Sequence, residues 1–312
     1  MITKISIDGF KSFRNFELDL APCTVLTGRA SAGRSNMFDA LTLVARALLH
    51  DFDSAVALTP RLAPVGLFHQ ATAMDGRTLT ADQFRISVGM VIGGSTTVVD
   101  LVAQRRMSSG GVAAVLDQDA SGIRVGGGCK MPFSGGVPAE VLEEVIGWAT
   151  PVPLDATGSR VRDADDVRRR VLLSDLAALV DGFLDVRADE HAVEIHMRHR
   201  GWVPVELLPN SALRTLSVLA AAHGGSSNVL LLDNLEESLA PSVAAELARR
   251  FARRHSAGGP QLIVSTYALP VIEALETGCN AEVVVIDTAT RIEPQSQSST
   301  VSVARRVRDV YP

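Results

Sequence analysis

The 312-residue chain has few cysteines, few aromatic side chains and no long apolar run. Its three cysteines, Cys23, Cys129 and Cys279, are far apart and form no C-x-x-C pair. This spacing argues against a disulfide or zinc framework and favours reduced thiols. No stretch approaches the roughly 18 apolar residues of a membrane span, and the first residues do not resemble a basic-then-apolar signal sequence. We therefore expect a cytoplasmic protein with no membrane partner.

Aromatic residues make up only 4% of the chain, so the core must rest mainly on Val, Leu and Ala. A chain of this length suits one large α/β domain or a domain with an inserted lobe. The formal net charge of -5 argues against a surface that coats nucleic acid, although local basic patches stay open. We find no internal repeat and no long heptad region, which argues against a coiled-coil tether.

A glycine-rich turn follows a predicted strand in Val25-Leu-Thr-Gly28-Arg-Ala-Ser-Ala-Gly33-Arg34-Ser35-Asn36. Its spacing matches the phosphate-binding loop G-x-x-x-x-G-K-[ST], except that Arg34 stands where lysine belongs. Such a loop directs backbone N–H groups and the positive end of a helix at phosphate oxygens, and its serine hydroxyl binds Mg²⁺. The residues predicted to contact nucleotide are Gly28, Ala30, Ser31, Ala32, Gly33, Arg34, Ser35 and Asn36.

Hydrophobic periodicity predicts the elements around this loop. Two short strands should flank Lys11 and Ser12, followed by the strand Cys23–Thr27 and a helix after Ser35. The passage 51–77 is expected to be irregular. Two hairpins are predicted beyond it, one joining 84–92 to 96–104 and one joining 112–116 to 123–125.

The pattern is helical from residue 135 to 182, with helices predicted at 138–148 and 163–183. Strands at 193–197 and 202–207 and a helix at 211–223 are predicted to follow. The apolar run Val229–Leu232 then ends in Asp233, which is typical of a buried parallel strand with a functional tip. Helices at 242–255 and 270–275 and strands at 261–265 and 282–287 complete the α/β core. We expect a polar linker at 295–300 and a short docking segment at 301–312.

The order of these motifs resembles RecF/SMC-like ATPases of the ABC type. The resemblance begins with Ile5-x-Ile7-x-Gly9-Phe10-Lys11-Ser12-Phe13 and Glu17-Leu-Asp-Leu20, continues through the phosphate loop and spans almost the whole chain. Within this family, the chain looks most like the small single-chain bacterial AAA-type members that lack a coiled coil. The resemblance implies an α/β P-loop NTPase fold, namely a single ABC/RecF-like head over 1–312. It also implies an N-terminal antiparallel sheet and a helical lobe over about 135–223, inserted between the phosphate loop and the Walker B strand.

The same resemblance shows four departures at catalytic positions. Arg34 replaces the lysine, and the signature L-S-x-G-x-x-R reads Leu208-Pro209-Asn210-Ser211-Ala212-Leu213-Arg214, with Asn210, Ser211 and Arg214 as the signature-like residues. Asn234 occupies the position of the water-polarising glutamate after Asp233, and Tyr267 that of the switch histidine. Because an amide cannot take a proton as a general base, we expect hydrolysis to be weak or absent.

Three functions follow from this resemblance and stay open. The chain could be a degenerate head that binds ATP and Mg²⁺ through Ser35 and Asp233 and acts as a homodimer or beside an active paralogue. It could be a slow Mg²⁺-ATPase of DNA maintenance or defence, with Asn234 positioning water. It could also be a scaffold that no longer binds nucleotide, with Arg34 paired to Asp233 or a neighbour. Contact with DNA is possible but has no support in the sequence.

Several other residue groups have simpler interpretations. Glu236 and Glu237 are displaced from the catalytic position and are interpreted as ordinary loop acids. Lys11 and Arg14 are expected to be solvated, although relatives use this turn to touch phosphates. His191, His196 and His199 suggest a metal cluster, but strand alternation puts His196 and His199 on opposite faces, which argues against a joint metal site. The remaining arginine rows, interpreted as a solvated helix face and a solvated tail, are Arg249, Arg250, Arg253, Arg254, Arg305, Arg306 and Arg308.

Overall fold

The structure is a computed structural model. It describes residues 1–59, 66–72, 77–107, 114–116, 121–126, 128, 131, 137–149, 160–162, 164–189, 192–223, 228–293 and 297–307. The chain forms two compact units, one made of Met1–Ile146 with Glu282–Pro312 and the other of Gly147–Ala281. No helix in the described parts of the chain is both long and apolar enough to cross a membrane.

The first unit contains the predicted N-terminal antiparallel sheet. Strands β1 (Ile2–Asp8) and β2 (Phe16–Asp19) pair with each other, and β1 also pairs with β6 (Gln83–Ile92), which continues into β7 (Ser95–Met107). Alternate side chains of β1 and β6 are buried, as their period-2 apolar pattern predicts. The predicted hairpin across Gly93-Gly94 is therefore confirmed.

The second predicted hairpin is wrong in its pairing. Strands β8 (Ala114–Leu116) and β9 (Gly122–Val125) do not pair with each other; both lie antiparallel to β7. Strand β7 is long enough to accept both partners, β8 beyond Gln104 and β9 between Val99 and Val102. Local alternation identifies a strand, but the partner depends on which longer strand edge is available.

A second sheet in this unit contains the strand that leads into the phosphate loop. Strand β3 (Cys23–Thr27) pairs in parallel with β16 (Glu282–Glu293), and β16 pairs in antiparallel fashion with β17 (Gln297–Arg306). The short strands β4 (Gln70–Thr72) and β5 (Thr78–Thr80) extend the sheet from β17. The predicted linker at 295–300 and docking segment at 301–312 are thus wrong where they are described, because 297–306 form a sheet strand.

The described part of the first unit includes helices α1 (Arg34–Leu49), α2 (Phe52–Leu58) and α3 (Ala139–Ile146). Helix α1 begins where predicted, and its apolar positions Met37, Leu41 and Val44 are fully buried. Helix α2 corrects the expectation that 51–77 is irregular. Its start is specified by Asp51, whose side chain accepts a 2.9 Å hydrogen bond from the Ser54 N–H.

The second unit contains three parallel strands, β10 (Trp148–Ala149), β14 (Val229–Leu232) and β15 (Gln261–Ser265), with β14 in the middle. Every residue of β14 and β15 is buried, which for β14 confirms the prediction from its continuous apolar run. Helices α4 (Asp166–Leu179), α5 (Asn210–His223), α6 (Pro241–Ser256) and α7 (Leu269–Cys279) belong to the same unit.

A three-stranded antiparallel sheet completes the second unit: β11 (Phe183–Ala188), β12 (Val193–Met197) and β13 (Gly201–Pro204). Helix α4 ends at Leu179, earlier than predicted, and Phe183 opens β11 instead of closing the helix. The predicted strand at 202–207 ends at Pro204 and continues as a 3-10 turn, Val205–Leu207. The stretch 135–223 thus holds a sheet as well as helices.

Candidate functional site

The phosphate-type loop lies in the first unit, between β3 and α1. Arg29, Ala30 and Ser31 at its tip are exposed, whereas Ala32 and Gly33 are buried. Ser31 adopts a left-handed backbone with φ 65°. Helix α1 starts at Gly33 without a side-chain cap. The loop therefore presents an exposed tip directly before an uncapped helix start, as a phosphate site requires.

Both glycines of the loop are needed by packing within this unit. Gly28 has φ 133°, and a Cβ there would lie 1.9 Å from the Ile286 carbonyl oxygen on β16. Gly33 has φ 100°, and a Cβ there would lie 2.2 Å from Ser302 Oγ and 2.6 Å from Ser12 Oγ. Only glycine fits such close approaches in a left-handed backbone. These two glycines are thus explained by the fold itself, with or without a nucleotide.

A cluster of small polar side chains supports the loop from β17. Ser302 Oγ donates to the Ala32 carbonyl at 2.7 Å and lies 2.8 Å from Ser12 Oγ, which accepts from Asn36 Nδ2 at 2.8 Å. Ser302 is 1% exposed, and its N–H donates to the Ser12 carbonyl. Neither Ser302 nor Ser12 is among the residues predicted to form the site, since 295–312 is predicted to be a linker and tail and Ser12 to lie in a turn between two strands. No signal in the sequence identified this contact.

The charged residues near the loop are buried or paired. Arg34, at the lysine position, is 8% exposed, and Ser35 beside it is half-buried. Lys11 Nζ lies 2.7 Å from Asp39 Oδ2 on α1, with side chains 13% and 4% exposed. The expectation that Lys11 is solvated is therefore wrong, because it forms a buried ion pair. Arg14 Nε lies 3.6 Å from Asp8 Oδ1, a loose pair on a more open surface.

The second unit places the Walker B-like residues at the end of β14. Asp233 Oδ1 accepts a 2.6 Å hydrogen bond from Ser265 Oγ at the end of β15. The same hydroxyl accepts the Asn234 N–H at 2.8 Å. Asn234 has φ 47°, the left-handed region in which asparagine is better tolerated than glutamate. The backbone conformation at residue 234 therefore favours asparagine over the glutamate that the family resemblance predicts at this position.

Arg214 joins the signature-like helix to the same strand end. Its Nη2 donates to the carbonyls of Asp233 at 2.8 Å and Asn234 at 3.1 Å. Burial lowers the pKa of the Arg214 guanidinium, while the charges of nearby acids, Glu237 first, oppose that shift. An arginine stays charged in proteins, so a full charge caps these two carbonyls. Asn210 and Ser211 lie exposed in the first turn of α5.

Glu236 is not an ordinary loop acid. Glu236 is 9% exposed, and its two carboxylate oxygens accept hydrogen bonds from Thr266 Oγ1 at 2.6 Å and from the Tyr267 N–H at 3.0 Å. The interpretation of Glu236 as a loop acid is thus wrong, although Glu237 beside it is exposed as expected. Tyr267, at the switch position, exposes 68% of its surface. Short polar residues closing a buried strand, Ser265 and Thr266, were the only sequence signal for this network.

The predicted metal ligands lie in different units, Ser35 in the first and Asp233 in the second, so their joint use stays a prediction. Across the part of the chain that is described, no group of three or more His, Cys, Asp or Glu side chains could hold a metal. His196 stacks on Trp202 with ring centroids 5.0 Å apart, and His199 sits in a turn with φ 69°. The histidine at 191 and the cysteine at 129 lie outside the described residues.

Part of the chain matches a known protein family. Residues 146–266 match the family model described as "AAA domain, putative AbiEii toxin, Type IV TA system". None of the curated protein sequences compared with the chain matches it.

Three solved structures are similar to the chain along its length. The SmcHead bound to the C-winged helix domain of ScpA is 14% identical with a TM-score of 0.63, covering 99% of each chain. The SMC head domain from Thermotoga maritima is 14% identical with a TM-score of 0.54, covering 98% of each. The Smc head domain with an extended coiled coil, bound to the C-terminal domain of ScpA and derived from Pyrococcus furiosus, is 11% identical with a TM-score of 0.61, covering 99% of this chain and 97% of that one. The chain has the fold of an ABC/SMC-like P-loop ATPase head.

Proposed function

We propose that this chain is a degenerate ATPase head that binds ATP and Mg²⁺ but does not hydrolyse ATP efficiently. The observation that carries the proposal is Asn234, an amide with φ 47° at the position where the family has its water-polarising glutamate. An amide nitrogen and oxygen have no basicity at neutral pH, so Asn234 can orient a water molecule but cannot take its proton. Losing general-base help alone lowers a rate by about 10²–10⁴.

The phosphate loop supports binding more than it supports hydrolysis. Its exposed tip at Ala30 and Ser31 and the uncapped start of α1 suit a polyphosphate, and Ser35 keeps the hydroxyl that Mg²⁺ prefers. Arg34 keeps a positive charge, but its planar fork needs a different approach to phosphate from that of lysine. Bound Mg²⁺ would neutralise phosphate charge, and Asp233 is the acid that the resemblance assigns to it.

We propose that the bound nucleotide itself, and not its hydrolysis, changes the state of the protein. A ligand that binds one conformational state better than another shifts the population toward that state without any turnover. Two solved relatives are described as bound to domains of ScpA, so a protein partner suits this fold. For this chain we propose a homodimer or a heterodimer with an active paralogue. Leu207 beside the signature-like segment and Leu269 beside Tyr267 expose 71% and 62% of their surfaces, which suits a protein contact.

Two alternatives have observations in their favour. A slow Mg²⁺-ATPase is favoured by the retained Ser35 and Asp233, and the description of the matched family model, which names a toxin–antitoxin system, suits a role in defence. A scaffold without nucleotide is favoured by the burial of Arg34, which is 8% exposed. In that case its guanidinium belongs to the interior of the fold instead of to a ligand.

Calorimetric titration of the purified chain with ATP and Mg²⁺ separates binding from its absence. We expect saturable heat that is lost when EDTA is present, and a chain that becomes dimeric in light scattering at saturation. No heat and no thermal shift would leave the scaffold alternative. Phosphate release at high enzyme concentration then separates the first two functions, since brisk metal-dependent release abolished by Arg34→Ala would overturn our proposal.

A restored variant tests the reason for weak hydrolysis. Arg34→Lys combined with Asn234→Glu should raise phosphate release at least tenfold over the single Arg34→Lys control, because only the double variant carries a general base. An unchanged rate in a folded, ATP-binding double variant would mean that the signature and switch positions also prevent turnover.

A further inference from the structure

A cavity of ≈ 390 Å³ in the second unit, lined by α4, α5 and α6, has no role in the proposed nucleotide site. We call it the arginine pocket because Arg168, Arg250, Arg253 and Arg254 line it. Its size lies within the range of small-molecule sites, about 300–1,000 Å³. It shares no residue with the phosphate loop or with the end of β14. The sequence showed only a row of arginines on one helix face, and the fold brings Arg168 from α4 to join them.

The base of the pocket is a network of hydrogen-bonded side chains around Asp175 and His223. Asp175 and His223 are 8% and 5% exposed, and His223 Nε2 lies 3.0 Å from Asp175 Oδ2. Arg250 Nη1 pairs with the other oxygen of Asp175. Arg254 Nη1 lies 3.0 Å from His223 Nδ1 and also donates to the Ala222 carbonyl. Because a guanidinium can only donate, Nδ1 accepts, and His223 uses Nε2–H to hold the carboxylate.

The arginines exceed the acids that face them. Among the described residues that line the pocket, Asp175 is the one carboxylate against four guanidiniums, and Glu246, which does not line it, lies 3.1 Å from Arg250 Nε. Arg253 reaches Glu246 only at 3.5 Å with 63% of its side chain exposed, and Arg168 reaches Asp165 only at 3.5 Å. Exposed pairs of this kind hold a charge weakly. Burial, and after it the positive charge of Arg168, lower the pKa of Arg254, and the negative charge of Asp175 only partly opposes that shift.

The remaining wall is apolar. Phe251 is buried at 2% exposure, whereas Val167 and Val171 on α4 expose 68% and 42% of their surfaces beside the arginines. A pocket with several guanidinium forks on one side and aliphatic carbon on the other matches an anion carried on an apolar body. Guanidinium forks from two helices suit the several oxygens of a phosphate group better than a single carboxylate.

We propose that the arginine pocket binds a small phosphate monoester with an apolar body, with Arg168 and Arg253 as its phosphate contacts. The lining residues fall into an inner layer, which holds the helices together, and an outer layer, which would contact the phosphate. The inner layer, Asp175 with His223, Arg250 and Arg254, holds α4 against α5 and α6. The outer layer is Arg168 and Arg253, whose side chains are 37% and 63% exposed against 22% for Arg250 in the inner layer.

Calorimetric titration of the full chain with phenyl phosphate tests this proposal, and inorganic phosphate, benzoate and benzyl alcohol serve as comparison ligands. We expect phenyl phosphate to bind more tightly than each of the three, because only it carries both the phosphate and the ring. The double variant Arg168→Gln with Arg253→Gln should weaken phenyl phosphate at least tenfold. Its Mg²⁺-ATP titration should match that of the wild type, which separates this pocket from the proposed nucleotide site.

Arg249→Gln is the matched control, because Arg249 lies on the same helix with 53% of its side chain exposed but does not line the cavity. It should leave the affinity for phenyl phosphate within twofold of the wild type. Equal weakening by the control and the double variant would show a diffuse charge effect and overturn the proposal. Absence of saturable heat, or tighter binding of a single-stranded oligonucleotide that competes with phenyl phosphate, would overturn it as well.

Discussion

Replacing Glu236 tests whether the segment after β14 is held by the carboxylate network. Glu236→Ala removes the acceptors of Thr266 Oγ1 and of the Tyr267 N–H, which lie 2.6 and 3.0 Å from the carboxylate. Thr266 is fully buried, so its hydroxyl cannot turn to water. An orphaned buried donor costs about 1–3 kcal/mol, and bonds to a charged group lie at the upper end. We expect the free energy of unfolding to fall by about 3 kcal/mol.

The magnitude can be checked with two companion variants. Glu236→Gln keeps one carbonyl acceptor but turns an amide donor toward the other partner. It should therefore lower the free energy of unfolding, but by less than Glu236→Ala does. Glu237→Ala is the control, since Glu237 is the exposed neighbour in the same turn, and surface changes stay within about 0.5 kcal/mol.

The assay is urea unfolding followed by tryptophan fluorescence. The only two tryptophans of the chain, Trp148 and Trp202, belong to the second unit, so the signal reports the unit that contains Glu236. A shifted midpoint at an unchanged slope would identify a loss of stability. If Glu236→Ala and Glu237→Ala had the same small effect, the carboxylate would not hold this segment and our reasoning on it would be refuted.

Three further changes have outcomes that the structure sets. Gly28→Ala should destabilise the chain by more than about 3 kcal/mol, measured by thermal unfolding, because its Cβ would lie 1.9 Å from the Ile286 carbonyl at φ 133°. Burial opposes ionisation of Asp175, but its imidazole and guanidinium partners outweigh burial and lower the pKa of the carboxyl group. Asp175→Asn should therefore lower the free energy of unfolding by about 3 kcal/mol at pH 7, and by less as the pH falls below about 4 toward the folded pKa. Urea unfolding at pH 7 and below pH 4 measures the difference. Asn234→Gly should leave the free energy of unfolding nearly unchanged. Asn234→Glu should lower it by about 1–2 kcal/mol in urea unfolding, because only glutamate strains the left-handed backbone at this position.

Local sequence specified the elements that carry most of the site. The apolar run Val229–Leu232 predicted a buried strand, and the strand Cys23–Thr27 and the start of α1 were located within a residue. These features depend on neighbouring residues alone, through periodicity and the chemistry of glycine. Motif order likewise sufficed for the fold class, because it records the succession of elements.

The tertiary structure decided which of these elements meet. The sequence predicts a linker where β17 lies, because a polar stretch of this kind occurs both in linkers and in strands. Only the pairing of β17 with β16 identifies it as a strand. The roles of Ser302, Arg214 and Glu236 depend on partners 290, 19 and 30 residues away, respectively. The sequence alone therefore identified the side chains that are able to bind a ligand. Long-range packing determined which of these side chains contact one another, because no local pattern encodes the distance between two strands.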